Sequence, residues 1–129
     1  MPHHAHGTFT VDIKPLTPPP AEGLSRLSIN KRLTGDLDGL TKGEMYSGGD
    51  PNLGAAGYVA IEVFSGLLAG KSGTFALQHS ATIDQNGQKM SVIVVPGSGT
   101  GALKSIAGTF TIKIANGQHS YDLLYTLPD

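Results

Sequence analysis

Eight stretches of this chain alternate apolar and polar residues with a period of two, and none sustains a helical period beyond two turns. They run about 6–14, 25–34, 40–48, 57–67, 73–84, 89–96, 106–115 and 118–127. Successive side chains of a strand point to opposite faces, so each stretch describes a strand with one buried and one exposed side. The pattern predicts an all-β fold: a single antiparallel eight-stranded barrel with little helix, its interior wide enough for side chains and one small ligand.

The joints between the strands carry turn chemistry. Glycine supplies 18 of 129 residues, about twice the usual share, as many short strands joined by tight turns require. Asn86-Gly87 and Asn116-Gly117 are favoured central pairs of two-residue hairpins, where both residues take positive φ. A third hairpin is expected to centre on Gly70-Lys71. Gly48-Gly49-Asp50-Pro51-Asn52 reads as a loop with a short helical turn after it, and Pro15–Pro20 as an extended connector within a Pro-rich segment 15–24.

These centres predict partners. Ile83 faces Met90, Ala81 faces Val92 and His79 faces Val94 in one hairpin; Ile112 faces Tyr121 and Phe110 faces Leu123 in another. In both, the apolar set of one strand meets that of the other. Centring on Gly70-Lys71 pairs Phe64 with Leu77, Glu62 with His79 and Ala60 with Ala81. The inner face then includes Tyr58, Glu62, Phe64 and His79. A carboxylate and an imidazole in contact on a low-dielectric wall form a usable acid/base pair, or a buried pair that satisfies itself, so Glu62 and His79 are the candidate catalytic residues. Lys31 shares a face with Leu27, Ile29 and Leu33, and a Lys31–Glu44–Glu62 row would cross the cavity, although Gly39, Thr41 and Gly43 blur the alternation around Glu44. Lys31, Glu44, Tyr58, Phe64, Tyr121 and Tyr125 are the candidate ligand-binding residues.

Composition removes several classes of function. There is no cysteine, hence no disulfide, thiolate metal site or cysteine nucleophile. A net charge of −1 with scattered lysines and arginines gives no footprint for nucleic acid or anionic membrane. No apolar run approaches the roughly 20 residues of a membrane span, and Met1–Gly7 lacks a signal-peptide core, so a cytoplasmic protein of one domain over 1–129 is expected. His3, His4 and His6 fall in a segment, 1–6, expected to be flexible, and no metal site is assigned to them. Gly97–Gly101 and Gly70-Lys71-Ser72 lack the helix or the upstream glycine of a phosphate loop, so both are turns and no cofactor is expected.

The segments Gly57-Tyr-Val-Ala-Ile-Glu62, Gly70-Lys-Ser-Gly-Thr-Phe-Ala-Leu-Gln-His79 and Val94-Val-Pro-Gly-Ser-Gly-Thr-Gly101, with Asn116-Gly-Gln-His-Ser-Tyr-Asp122, resemble the domain-of-unknown-function family 3224. That family is similar in fold to allene oxide cyclase and dirigent barrels. The resemblance implies an eight-stranded barrel; among such barrels, allene oxide cyclases are cofactor-free isomerases and dirigent proteins orient radicals. No active-site motif of those enzymes recurs in this chain.

Three readings follow. The first is a cofactor-independent isomerase, cyclase or lyase for a small apolar molecule, with Glu62 as base or electrostatic stabiliser, His79 as its acid/base partner, and Lys31 or a tyrosine steadying negative charge. The second is a carrier or sensor of such a molecule. The third is a packed structural barrel. On the outer face, Val63, Gln78 and Val95 are expected in one row and Ile61, Ser80 and Ile93 in the next, an apolar patch suited to homo-oligomerisation.

Overall fold

The computed structural model describes residues 2–128. Among these, eight strands form one closed antiparallel barrel in sequence order, β1 to β8, with β1 pairing β8 to close it. They span His3–Leu16 (β1), Leu24–Gly35 (β2), Leu37–Asp50 (β3), Ala55–Leu68 (β4), Lys71–Asp84 (β5), Gly87–Val94 (β6), Ala107–Ala115 (β7) and Gln118–Thr126 (β8). Closure removes the exposed edges that would otherwise pair with other chains. The helical content of the described residues is two single 3-10 turns, Pro51–Leu53 and Gly101–Leu103. The first begins within the expected 48–52 loop rather than after it, because β3 runs on to Asp50, whose side chain accepts from the Asn52 N–H and starts the turn.

Residues 3–6 of the segment expected to be flexible are instead paired, and Met1 lies outside the described residues. His3, Ala5 and Gly7 lie opposite Tyr125, Leu123 and Tyr121, and Ala5 is fully buried. Without these residues β8 would be an open edge, so the barrel's own closure orders them. The expected register holds at Asn116-Gly117, where both residues take positive φ and Ile112 faces Tyr121. Two other hairpins turn one residue earlier than expected, so each residue's partner changes by two.

At the β5–β6 joint the central pair is Gln85-Asn86, because the Asp84 carboxylate accepts from the Asn86 N–H and starts the turn there. His79 therefore faces Val92 and Ala81 faces Met90. At the β4–β5 joint the central pair is Ala69-Gly70, with Ala69 at φ 49°. The Ala69 N–H donates to the Asp36 carbonyl, a contact from the β2–β3 turn that holds an unfavourable backbone in place. Glu62 consequently faces Leu77 and His79 faces Ala60. A shift of two leaves every side chain on its expected face.

Inside, the barrel is closed at one end and open at the other. Leu33, Leu37, Phe64, Leu68, Phe75, Leu103, Ile106 and Leu123 fill the closed half, all at most 2% exposed. At the other end the inward-facing Ile13, Met90 and Ile114 remain 44%, 43% and 64% exposed, so this mouth is not packed. The glycines that blurred β3 in the sequence are points of close strand contact. A Cβ on inward-facing Gly43 would lie 2.0 Å from the Ile61 carbonyl oxygen and 2.8 Å from the Glu62 Cβ. Glycine there lets β3 and β4 press together beside Glu62.

Candidate functional site

At the boundary between the packed half and the open half lie three ionisable residues. Glu62, on β4, has a wholly buried side chain. Its Oε2 accepts from Lys31 Nζ at 3.0 Å and also meets His79 Nε2. Lys31 and His79 are themselves only 4% and 2% exposed. Glu62 and His79 are diagonal rather than direct cross-strand neighbours, a separation that long side chains still span. Lys31 reaches Glu62 across β3, where Gly43 contributes no side chain to block it. Its backbone N–H donates to the buried Thr41 hydroxyl, and its ammonium lies 5.0 Å and 5.6 Å from the ring centres of Phe9 and Phe110. Both rings present a negative face to it.

Burial by itself would raise the Glu62 carboxyl. The hydrogen bond from His79 and the charge of Lys31 outweigh that and hold it at about 2. Three polar atoms of the cluster, Glu62 Oε1 and both ring nitrogens of His79, are buried without a hydrogen bond of good geometry, although Nε2 lies against Glu62 Oε2.

Above this floor opens a cavity of about 550 Å³, within the usual range for small-molecule sites. Lys31 and His79 line it; its walls are mostly apolar, including Val11, Ile29, Met45, Ala81 and Ile112. Tyr58 also lines it, 6.5 Å from the His79 ring, and its hydroxyl is raised by burial and by the nearby Glu62 charge.

The other candidate positions lie elsewhere. Glu44 points outward, opposite Ile61, and is bonded to Arg26 (2.7 and 3.0 Å) and to the Tyr46 hydroxyl (3.0 Å). The expected Lys31–Glu44–Glu62 row is therefore corrected: His79, not Glu44, is the third member, because Gly43 takes the inward place beside Glu62. Phe64 packs at a tilt against Phe75 in the packed half. Tyr121 donates to the Thr34 carbonyl and accepts from the Leu37 N–H, both at 2.9 Å, which ties β8 to the β2–β3 turn. Tyr125 is buried in the same closed half. Sequence reasoning missed the cavity walls, Val11, Met45 and Ile112 among them. Their alternation marks them as inward-facing, but nothing local says which inward residues are packed and which face open space. Among the described residues no group of three histidines, cysteines or acidic residues is placed to hold a metal ion. Among the described residues no helix is long and apolar enough to cross a membrane.

Among curated proteins none matches the sequence. The fold is similar to a crystal structure of a protein of unknown function from the DUF3224 family of Shewanella oneidensis MR-1. The identity is 34%, the TM-score 0.89, and the match covers 100% of this chain and 99% of that one. The family model described as "Protein of unknown function (DUF3224)" matches residues 5–125. The chain belongs to the DUF3224 family, as its Gly57–His79 segment implied.

Proposed function

We propose that this barrel binds a small, largely apolar molecule in its open half and moves a proton on it without a cofactor, as an isomerase, cyclase or lyase. One observation carries the reading: Lys31 and His79, both buried and joined through Glu62, line the floor of a largely apolar cavity. A self-satisfied structural cluster would leave no buried polar atom unpartnered, whereas Glu62 Oε1 and the ring nitrogens of His79 lack hydrogen bonds of good geometry.

The roles follow from the electrostatics. A carboxyl held at about 2 is a weak base near neutral pH, so Glu62 is a positioning residue rather than the base. Its Oε2 meets Nε2 of His79 and fixes the ring, as a carboxylate does for an imidazole in acid–base sites. His79 takes a proton and returns it elsewhere on the same molecule. Lys31 stands beside it to stabilise negative charge that develops on the ligand. The carrier reading shares this site and differs only in lacking turnover.

Native mass spectrometry of protein purified from its own host tests the reading. The expected result is a retained small molecule that is lost in Ala81→Trp, whose indole would fill the cavity. With that molecule as substrate, His79→Gln should lower turnover by about two to four orders of magnitude, the usual scale of general acid–base catalysis. Failure of the native protein both to retain a molecule and to take up the neutral dye N-phenyl-1-naphthylamine would overturn it.

A further inference from the structure

Closure of the barrel leaves one seam almost unmatched. Every other pair of neighbouring strands is in register over seven residues or more, whereas β6 and β7 meet at the single pair Ile93–Thr109. From there to the open mouth, Gly87–Ser91 of β6 and Thr111–Ala115 of β7 run side by side in the strand order with no ladder between them. Both stretches are exposed apart from the half-buried Ile112. Strand backbone without a ladder partner presents a row of free N–H and C=O groups, a template for another extended chain. The cause lies in the side chains. Continued toward the mouth, the register would set Lys89 directly opposite Lys113, and like charges in that position repel.

We propose that this seam is a docking site for an extended acidic peptide, which adds along it as a strand. The two edges supply main-chain hydrogen bonds, and the side chains on either face select the partner. On the inner face, Met90, Ile112 and Ile114 line the apolar cavity, and Met90 and Ile114 are 43% and 64% exposed. Every second residue of the peptide is therefore apolar. On the outer face, Lys89 and Lys113 take part in no ion pair among the described residues. The carboxylates of the flanking strands are engaged elsewhere, Asp84 with the Asn86 N–H and Asp122 with His4. Acidic residues at the alternate positions of the peptide answer both lysines and relieve the repulsion between β6 and β7. The same lysines repel a second copy of this edge, so the partner is a chain of opposite charge rather than a copy of this one. Docking of this kind needs no turnover in the cavity, and its failure leaves the reading of the cavity intact.

Three fluorescein-labelled probes test it by anisotropy: acetyl-Gly-Val-Glu-Val-Glu-Val-Gly-amide, its counterpart with lysine at both glutamates, and the glutamate peptide with its two glutamate amides N-methylated. The native protein should bind the glutamate peptide about tenfold or more tightly than the lysine one. N-methylation keeps the charge and removes two backbone donors, and should weaken binding about tenfold or more. The double variant Lys89→Glu/Lys113→Glu should prefer the lysine peptide, with circular dichroism establishing that it is folded. If that variant does not fold, the two comparisons on the native protein decide the matter alone.

Binding of neither charged peptide, or of both equally, would overturn the proposal. So would equal binding of the N-methylated peptide, which would reduce the contact to charge alone, or a folded double variant with the native preference. Light scattering that shows an oligomer dispersed by Lys89→Glu/Lys113→Glu, with no peptide bound, would give the seam to a second copy and overturn it as well. Uptake of N-phenyl-1-naphthylamine reports on the cavity separately in every case.

Discussion

Replacing Lys31 with Met keeps an unbranched side chain of similar reach and removes its charge, leaving Glu62 as a buried carboxylate with only His79 against it. Removing one partner of a buried ion pair costs about 3–5 kcal/mol, because the other charge is left uncompensated. The native surroundings as a whole, the His79 contact ahead of the Lys31 charge, lower the Glu62 carboxyl from 4.5 to about 2, which favours the charged form by about 3 kcal/mol at 1.36 kcal/mol per pH unit. For 129 residues, an unfolding entropy of about 2.1 cal/mol/K per residue turns 3 kcal/mol into a fall of about 11 °C in Tm. Thermal and urea unfolding followed by circular dichroism should show this for Lys31→Met. The double variant Lys31→Met/Glu62→Gln removes the stranded charge as well, and should be more stable than the single one by about 2 kcal/mol.

The pH dependence supplies a second readout of the same energy. The Glu62 carboxyl lies lower in the folded protein than in the unfolded chain, so its stabilisation is fully present above about 4.5 and is lost as pH falls toward about 2. Between those limits, Glu62→Gln should lose about 3 kcal/mol less stability than the native protein. The reasoning is refuted if Lys31→Met unfolds within about 1 kcal/mol of the native protein, or if the double variant is no more stable than the single.

Gly43→Ala should prevent folding or destabilise by more than about 3 kcal/mol, since its methyl would lie 2.0 Å from the Ile61 carbonyl oxygen and 2.6 Å from the Glu62 Cα. Gly48→Ala, whose methyl meets only the Leu24 side chain at 3.2 Å, is the control, and equal urea midpoints for the two would refute the claim. On the outside, Val59, Ile61 and Val63 are 54%, 51% and 49% exposed, and Ile61, Gln78 and Ile93 share one row. We propose that this face seats a second copy of the chain. Light scattering after size exclusion should give a dimer that Ile61→Lys converts to a monomer, and a native monomer at high micromolar concentration would sink the idea.

The outer rows show how legibility depends on the quantity asked for. Ile61 was expected beside Ser80 and lies beside Gln78; Val63 was expected beside Gln78 and lies beside Ala76. Both nevertheless remain on the outer face. A strand's side chains alternate with period two, so its pattern specifies the face of each residue locally. The partner depends on where the turn begins, and that was settled by the Asp84 side chain at one joint and by the distant Asp36 carbonyl at another. Only Asn116-Gly117, both of whose residues adopt positive φ, turned where its own residues require.

What the sequence by itself determined was an all-β barrel, the two faces of its strands, and the inward placement of Lys31, Glu62 and His79. These follow from local alternation and turn chemistry. Only the tertiary structure decided which inward residues meet and which face open space. Glu44 was sent outward to Arg26 by the glycine at 43, which occupies the inward position so that β3 can press against β4. Tyr121 and Tyr125 fell in the packed half and Tyr58 at the open mouth, although all three alternate in the same way. That division arises because Leu103 and Ile106, carried by a turn outside the strands, help fill one end of the barrel and nothing among the described residues fills the other. A cavity is a property of what several distant segments leave unfilled, and no local pattern encodes it.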